Sequence, residues 1–136
     1  QIKTLADNKI LNDLDTMAVK QYLSYFQQLN FESFEVELNK HEIDSTLKTP
    51  PLNTLTVSTT KGEMNKVSFY TRPNRKKVLD TKGDPLPFDP IRMNALLNNG
   101  KDVVIAQYFV FGKVMPPVDY FKKKNAVKNP HSVSEK

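Results

Sequence analysis

The chain contains no cysteine. That removes disulfides, thiolate metal sites and a thiol nucleophile, and it leaves both oxidising and reducing compartments open. Tryptophan is absent too, and glycine occurs only four times beside nine prolines. So few glycines argue against a glycine-rich phosphate cradle, and neither a P-loop nor a G-x-G-x-x-G pattern occurs. The G-x-S-x-G elbow that exposes a nucleophilic serine is missing as well. Long apolar runs are lacking: Val103–Phe111, with Gln107 inside it, is far short of the ~20 residues a spanning helix needs. The two histidines, His41 and His131, stand far apart without partners at metal-ligand spacing, so no metal and no cofactor is expected.

What remains is one domain's worth of chain. At 136 residues it can bury roughly two-thirds of its unfolded surface without a disulfide or a metal. Twenty Lys and Arg against fifteen Asp and Glu give a formal charge of +5, a smaller excess than many nucleic-acid binders carry. The chain begins at Gln1 rather than Met, and a signal peptide, a lipid-anchored linker, a further domain or a tag is expected upstream.

Residues 1–15 read as a connecting arm. Asp15 or Thr16 can cap a helix over Thr16–Leu29, in which Val19, Tyr22, Leu23, Phe26 and Leu29 recur at spacings of three and four and form the expected buried face. "FESFEVEL" alternates Phe34, Val36 and Leu38 with Glu35 and Glu37, the pattern of a half-buried strand with the two glutamates exposed. "NKHEIDSTLKTPP" predicts a short polar helix or turn with Ile43 and Leu47 inward, ended by Pro50-Pro51. "LNTLTVSTT", "KGEM" and "NKVSFYTR" make a hairpin with Phe69 facing the core, and "VLDTKGDPLPF" a smaller one turning at Lys82-Gly83-Asp84. Asp89 and Pro90 occupy the N-cap and first positions of an expected two-turn helix buried through Ile91, Ala95 and Leu96. Asn98-Asn99-Gly100 would terminate it, and Val103–Phe111 would follow as a strand apolar on both faces. "VDYFKKK" suits a short closing helix, and residues 125–136 a polar tail. The expected organisation is therefore an arm (1–15), a single α+β domain (16–124) and a tail (125–136).

Few residues are candidates for chemistry. The carboxylate pairs Asp89 with Asp102, Glu35 with Glu37, and Asp80 with Asp84 could serve a hydrolase, but each has a structural role to hand, so an enzyme is not expected. Arg72, Arg75, Lys76 and Lys77 follow the aromatics Phe69 and Tyr70. Such a loop could track a phosphate backbone while a ring stacks on a base, or could simply be solvated beyond a strand end. Lys122–Lys124 offer only weak attraction to anionic lipid. Gln107 interrupts the apolar strand, and its amide needs partners in backbone or an opening onto a groove. Arg92 is expected to pair with Asp89 or Asp102. The candidate binding residues are thus Gln107, Arg92, Arg72, Arg75, Lys76 and Lys77.

The succession of helix, strands, "FDPIRMNALLNNGKDVVIAQYFVF" and a closing "DYF" resembles the C-terminal α+β part of uncharacterised, N-terminally anchored envelope proteins of Bacteroidetes. The resemblance covers roughly residues 16–121, and Asp89, Arg92, Leu96, Asn98, Gly100, Lys101, Asp102 and Gln107 carry it. It implies an extracytoplasmic, periplasmic or envelope-anchored domain, and it supplies no catalytic residues. Together these readings predict an antiparallel sheet of about four to six strands packed against one main amphipathic helix. The expected function is a non-catalytic interaction or scaffold module binding another protein through a sheet edge or groove. The alternatives are a ligand- or nucleic-acid-binding domain using the Arg72–Lys77 loop, and a hydrolase with dispersed carboxylates. A protein partner is expected and nucleic acid is not; membrane contact is expected only through a segment upstream of Gln1.

Overall fold

The computed structural model describes residues 1–4, 6–97 and 102–124. The expected Asn98-Asn99-Gly100 terminator and the tail at 125–136 lie outside them. The fold is α+β, with one antiparallel five-stranded sheet and short helices. Its residues gather into two compact units, Gln1–Ser24 with the chain from Pro116 onward, and Tyr25–Met115. The reading of a single domain over 16–124 drew no such division.

In the first unit the arm forms a small hairpin of its own, bridged at Lys3 and Ile10. Helix α1, Thr16–Tyr25, starts where Asp15 Oδ1 accepts the amides of Met17 at 3.0 Å and Ala18 at 3.2 Å. These bonds satisfy two of the donors every helix start leaves open. A 3-10 turn, Phe26–Gln28, already part of the second unit, continues it, so the helix expected over Thr16–Leu29 is present as far as Gln28. Its expected buried face needs one correction. Val19, Tyr22, Phe26 and Leu29 are half-buried, but Leu23 is 61% exposed. A closing 3-10 turn, Val118–Phe121, is stitched to the arm: Asp15 N donates to the Phe121 carbonyl at 2.8 Å, and Lys123 N to that of Asp13 at 2.9 Å. The Phe121 ring meets Tyr22 edge-on at 5.0 Å.

The second unit holds the sheet. Its elements are β1 (Ser33–Phe34), α2 (Lys40–Leu47), β2 (Asn53–Ser58), β3 (Met64–Pro73), β4 (Phe88–Leu97), β5 (Val103–Gln107) and the single helical turn α3 (Tyr108–Phe111). The strand order is β1-β5-β4-β3-β2, antiparallel throughout. The expected hairpin is β2–β3, and its connection uses Gly62 at φ +86, a conformation a Cβ would oppose. The second, smaller turn also forms, with Leu79 bridging Pro85 and Gly83 at φ +89. Asn39 starts α2 with a capping box: its side chain accepts the Glu42 amide, and the Glu42 carboxylate accepts the Asn39 amide, both at 2.9 Å. The short helix expected there is present, with Ile43 and Leu47 half-buried.

The core runs through the three middle strands. Phe69, Met93 and Ala106 are fully enclosed and Ala95 and Val104 nearly so; Phe111 of α3 tilts against Phe69 at 5.2 Å. Three expectations fail here. "FESFEVEL" pairs over only two residues, and Phe34 and Val36 are 55% and 83% exposed. The helix expected after Asp89 is strand β4. Asp89 Oδ1 does accept the amides of Ile91 and Arg92, at 2.9 and 3.0 Å, as an N-cap would. Here those bonds hold the chain beside a register shift between Thr71 and Pro73. Pairing on both sides, with β3 and β5, outweighs the local helix signal. Finally, the strand expected to reach Phe111 stops at Gln107 and turns into α3.

Candidate functional site

Of the six residues singled out in the sequence, Arg72, Arg92 and Gln107 meet carboxylates of the segment before α2, and Arg75 meets one on α2 itself. Arg72 was expected on a solvated loop. Instead it lies inside β3 at 3% exposure. Its Nε donates to Glu35 Oε2 at 2.9 Å, its Nη2 to Glu37 Oε2 at 2.6 Å, and its Nη1 reaches Asp89 Oδ2 at 3.4 Å. The planar fork of a guanidinium can serve three acceptors in this way, whereas an ammonium cannot hold that geometry. Glu35, expected on an exposed face, has a fully buried side chain. Its other oxygen accepts the amides of Glu37 at 2.9 Å and Leu38 at 3.2 Å, so the buried carboxylate has donors on both oxygens. Only Glu37 keeps the expected exposure, at 55% of its side chain.

A second cluster lies alongside. Arg92 pairs with neither Asp89 nor Asp102, as had been expected; its Nε donates to Glu32, at 2.9 and 3.1 Å to the two oxygens. Gln107, opposite Arg92 in the β4–β5 register, gives its Nε2 to the same carboxylate at 2.9 Å. Its amide therefore ties the sheet end to Glu32 and opens no groove through the strand. Arg75 bonds both oxygens of Glu42 on α2. Lys76 is exposed and acts on Glu32 and Glu37 through space. Lys77, at φ +52, is exposed in the turn.

The electrostatics follow from these contacts. The hydrogen bonds of Arg92 and Gln107 hold the Glu32 carboxyl below its ordinary value, and the bond and charge of Arg72 do the same for Glu37. The Asn39 amide, then Arg75, lowers Glu42. Burial would release the Arg72 proton more easily, but the bonds and charges of Glu35 and Glu37 outweigh it, and the net shift is upward. Burial, then the charge of Asp89, raises the Tyr108 hydroxyl. Every arginine of the group is committed to the chain's own carboxylates. A polyanion would have to displace those partners, and carboxylates gripped by guanidinium are poor proton donors for catalysis.

Of the candidate acid–base pairs, Glu35 and Glu37 converge on the same guanidinium, that of Arg72. Asp89 faces Arg72, while Asp102 lines a shallow cleft of about 320 Å³ beside α2 with Asp44, Phe34 and Leu47. Asp80 accepts the amides of Lys82 and Asp84 and so shapes the small turn. Among the described residues no group of three His, Asp or Glu side chains is placed to hold a metal.

Two features went unnoticed in the sequence. Asn94 of β4, 2% exposed, has both amide atoms buried without a hydrogen-bond partner among the described residues. The other is the outer edge of β2. Thr59 N donates to the Glu63 carbonyl, and the register pairs Val57 with Asn65 and Leu55 with Val67. By strand periodicity the bonded residues are then Asn53, Leu55 and Val57, leaving the N–H and C=O of Thr54, Thr56 and Ser58 pointing away from the sheet. No strand among the described residues pairs there. The six-residue edge carries no charge and no proline, and five of its residues are exposed. Sheet edges are ordinarily blunted by such devices. The opposite edge is: β1 has two residues and sits between Glu32 and Glu35.

No protein-family model matches the chain, and no curated protein or solved structure matches it.

Proposed function

We propose that the chain is a non-catalytic interaction module that binds an extended segment of a protein along the outer edge of β2. The observation that carries this reading is the edge itself, six uncharged residues whose alternate backbone groups meet no partner strand among the described residues. Adding a strand would satisfy those groups, with main-chain bonds giving affinity and the flanking side chains giving selectivity. The commitment of Arg72, Arg75 and Arg92 to internal carboxylates weighs against the polyanion alternative. A location in the cell envelope belongs to the same proposal and rests on the resemblance alone.

A photo-crosslinking residue placed at Thr56, with a control at Lys76, tests the reading in extracts of the protein's own cells. An adduct from Thr56 and none from Lys76 is expected. Adducts from Lys76 alone, or none from Thr56, would refute it.

A further inference from the structure

From the chemistry of β2 we infer that the strand this edge accepts is β2 of a second copy, joined antiparallel across a two-fold axis at Thr56. The inference rests on the strand-addition reading and names its partner. A second copy can add only in a register where outward-facing residues meet each other. The register that pairs the most outward-facing residues sets Thr56 against its own copy and Thr54 against Ser58.

Read in both directions from Thr56, the segment Thr54–Ser58 has the same character: hydroxyl, aliphatic, hydroxyl, aliphatic, hydroxyl. In the two-fold register each hydroxyl residue therefore opposes a hydroxyl residue, and Leu55 opposes Val57. Hydroxyl–hydroxyl and aliphatic pairs are both favourable across antiparallel strands. Leu55 and Val57 share a sheet face with Val67 and Phe69, so the contact would prolong the apolar face from one copy into the next. Val57 is 40% exposed without it.

Charge points the same way. A two-fold axis sets every residue near it against itself or a close neighbour, so one charge in this strand would be repelled by its own copy. There is none from Asn53 to Ser58. Residue pairing of this kind is isologous and closes at two, joining two five-stranded sheets without leaving either β2 edge free. An interface limited to one strand pair is small, so association depends on concentration.

Sedimentation of the chain across about 1 µM to 1 mM brackets the affinities of small interfaces. The wild type is expected to pass from monomer to dimer with rising concentration. Thr56→Lys and Thr56→Glu should each stay monomeric, since the axis sets like charges face to face, and each should melt like the dilute wild type. Mixed in equal amounts, the two variants should form a heterodimer. A wild type that stays monomeric throughout, or a dimer that survives Thr56→Lys, would overturn the inference. In the crosslinking experiment a Thr56 adduct with a different protein, and no self-adduct, would overturn it too while leaving strand addition intact.

Discussion

Arg72→Met removes a cation and leaves its carboxylates where they are. The Glu35 side chain is fully buried and that of Asp89 is 8% exposed, so water cannot replace the lost guanidinium at either. Breaking a buried ion pair from one side costs about 3–5 kcal/mol, because the surviving charge is uncompensated. Methionine fills a similar volume, so a cavity contributes little. In urea, with a slope of about 1–3 kcal/mol per molar, the midpoint should fall by at least about 1 M. Glu37→Gln is the internal control. Its side chain is 55% exposed, and the loss there should stay well below that of Arg72→Met. The Arg72→Met, Glu35→Gln double variant should recover part of the loss, since it removes one stranded charge. A loss below about 1 kcal/mol for Arg72→Met, or equal losses for Arg72→Met and Glu37→Gln, would refute the reasoning.

Acid should weaken the wild type. Arg92 and Gln107 lower Glu32, and Arg72 lowers Glu37, so the stability these groups give is full above the ordinary glutamate value of 4.5 and is lost as pH falls through their lower folded values. Urea midpoints from pH 6 to about pH 3 should show the decline, and Glu32→Gln should flatten it. Asn39→Ala should cost about 1 kcal/mol through the lost capping box of α2, read from the same midpoints. Asn94→Leu should gain about 1–3 kcal/mol by removing two orphaned buried polar atoms; a loss instead would show that the amide is satisfied.

Local patterns were legible where local forces decide. Asp15 caps α1, Pro50-Pro51 follows α2, and Gly62 turns the β2–β3 hairpin, each through bonds within a few residues. The strand at Phe88–Leu97 was not legible because Asp89 and Pro90 carry helix-start chemistry, and only the flanking strands reveal the other use of that carboxylate. The cluster at Arg72 hid for a similar reason. Its glutamates lie 35 and 37 positions away along the chain, and one sequence does not tell which glutamates a given arginine meets. Glu35 looked exposed because alternation was read through "FESFEVEL", which pairs over two residues only. The edge of β2 was half visible: its composition was on the page, its place at the end of the strand order was not.

Amide hydrogen exchange along β2, resolved residue by residue, tests the central claim most directly. In the dilute chain, Asn53, Leu55 and Val57 should exchange slowly and Thr54, Thr56 and Ser58 fast, alternating with the strand period. When the partner strand is in place, whether at high concentration of the chain alone or in the complex recovered through Thr56, the three fast amides should become slow and the alternation should vanish. Protection of Thr54, Thr56 and Ser58 already present in the dilute monomer, or fast exchange that persists in the complex, would contradict the account.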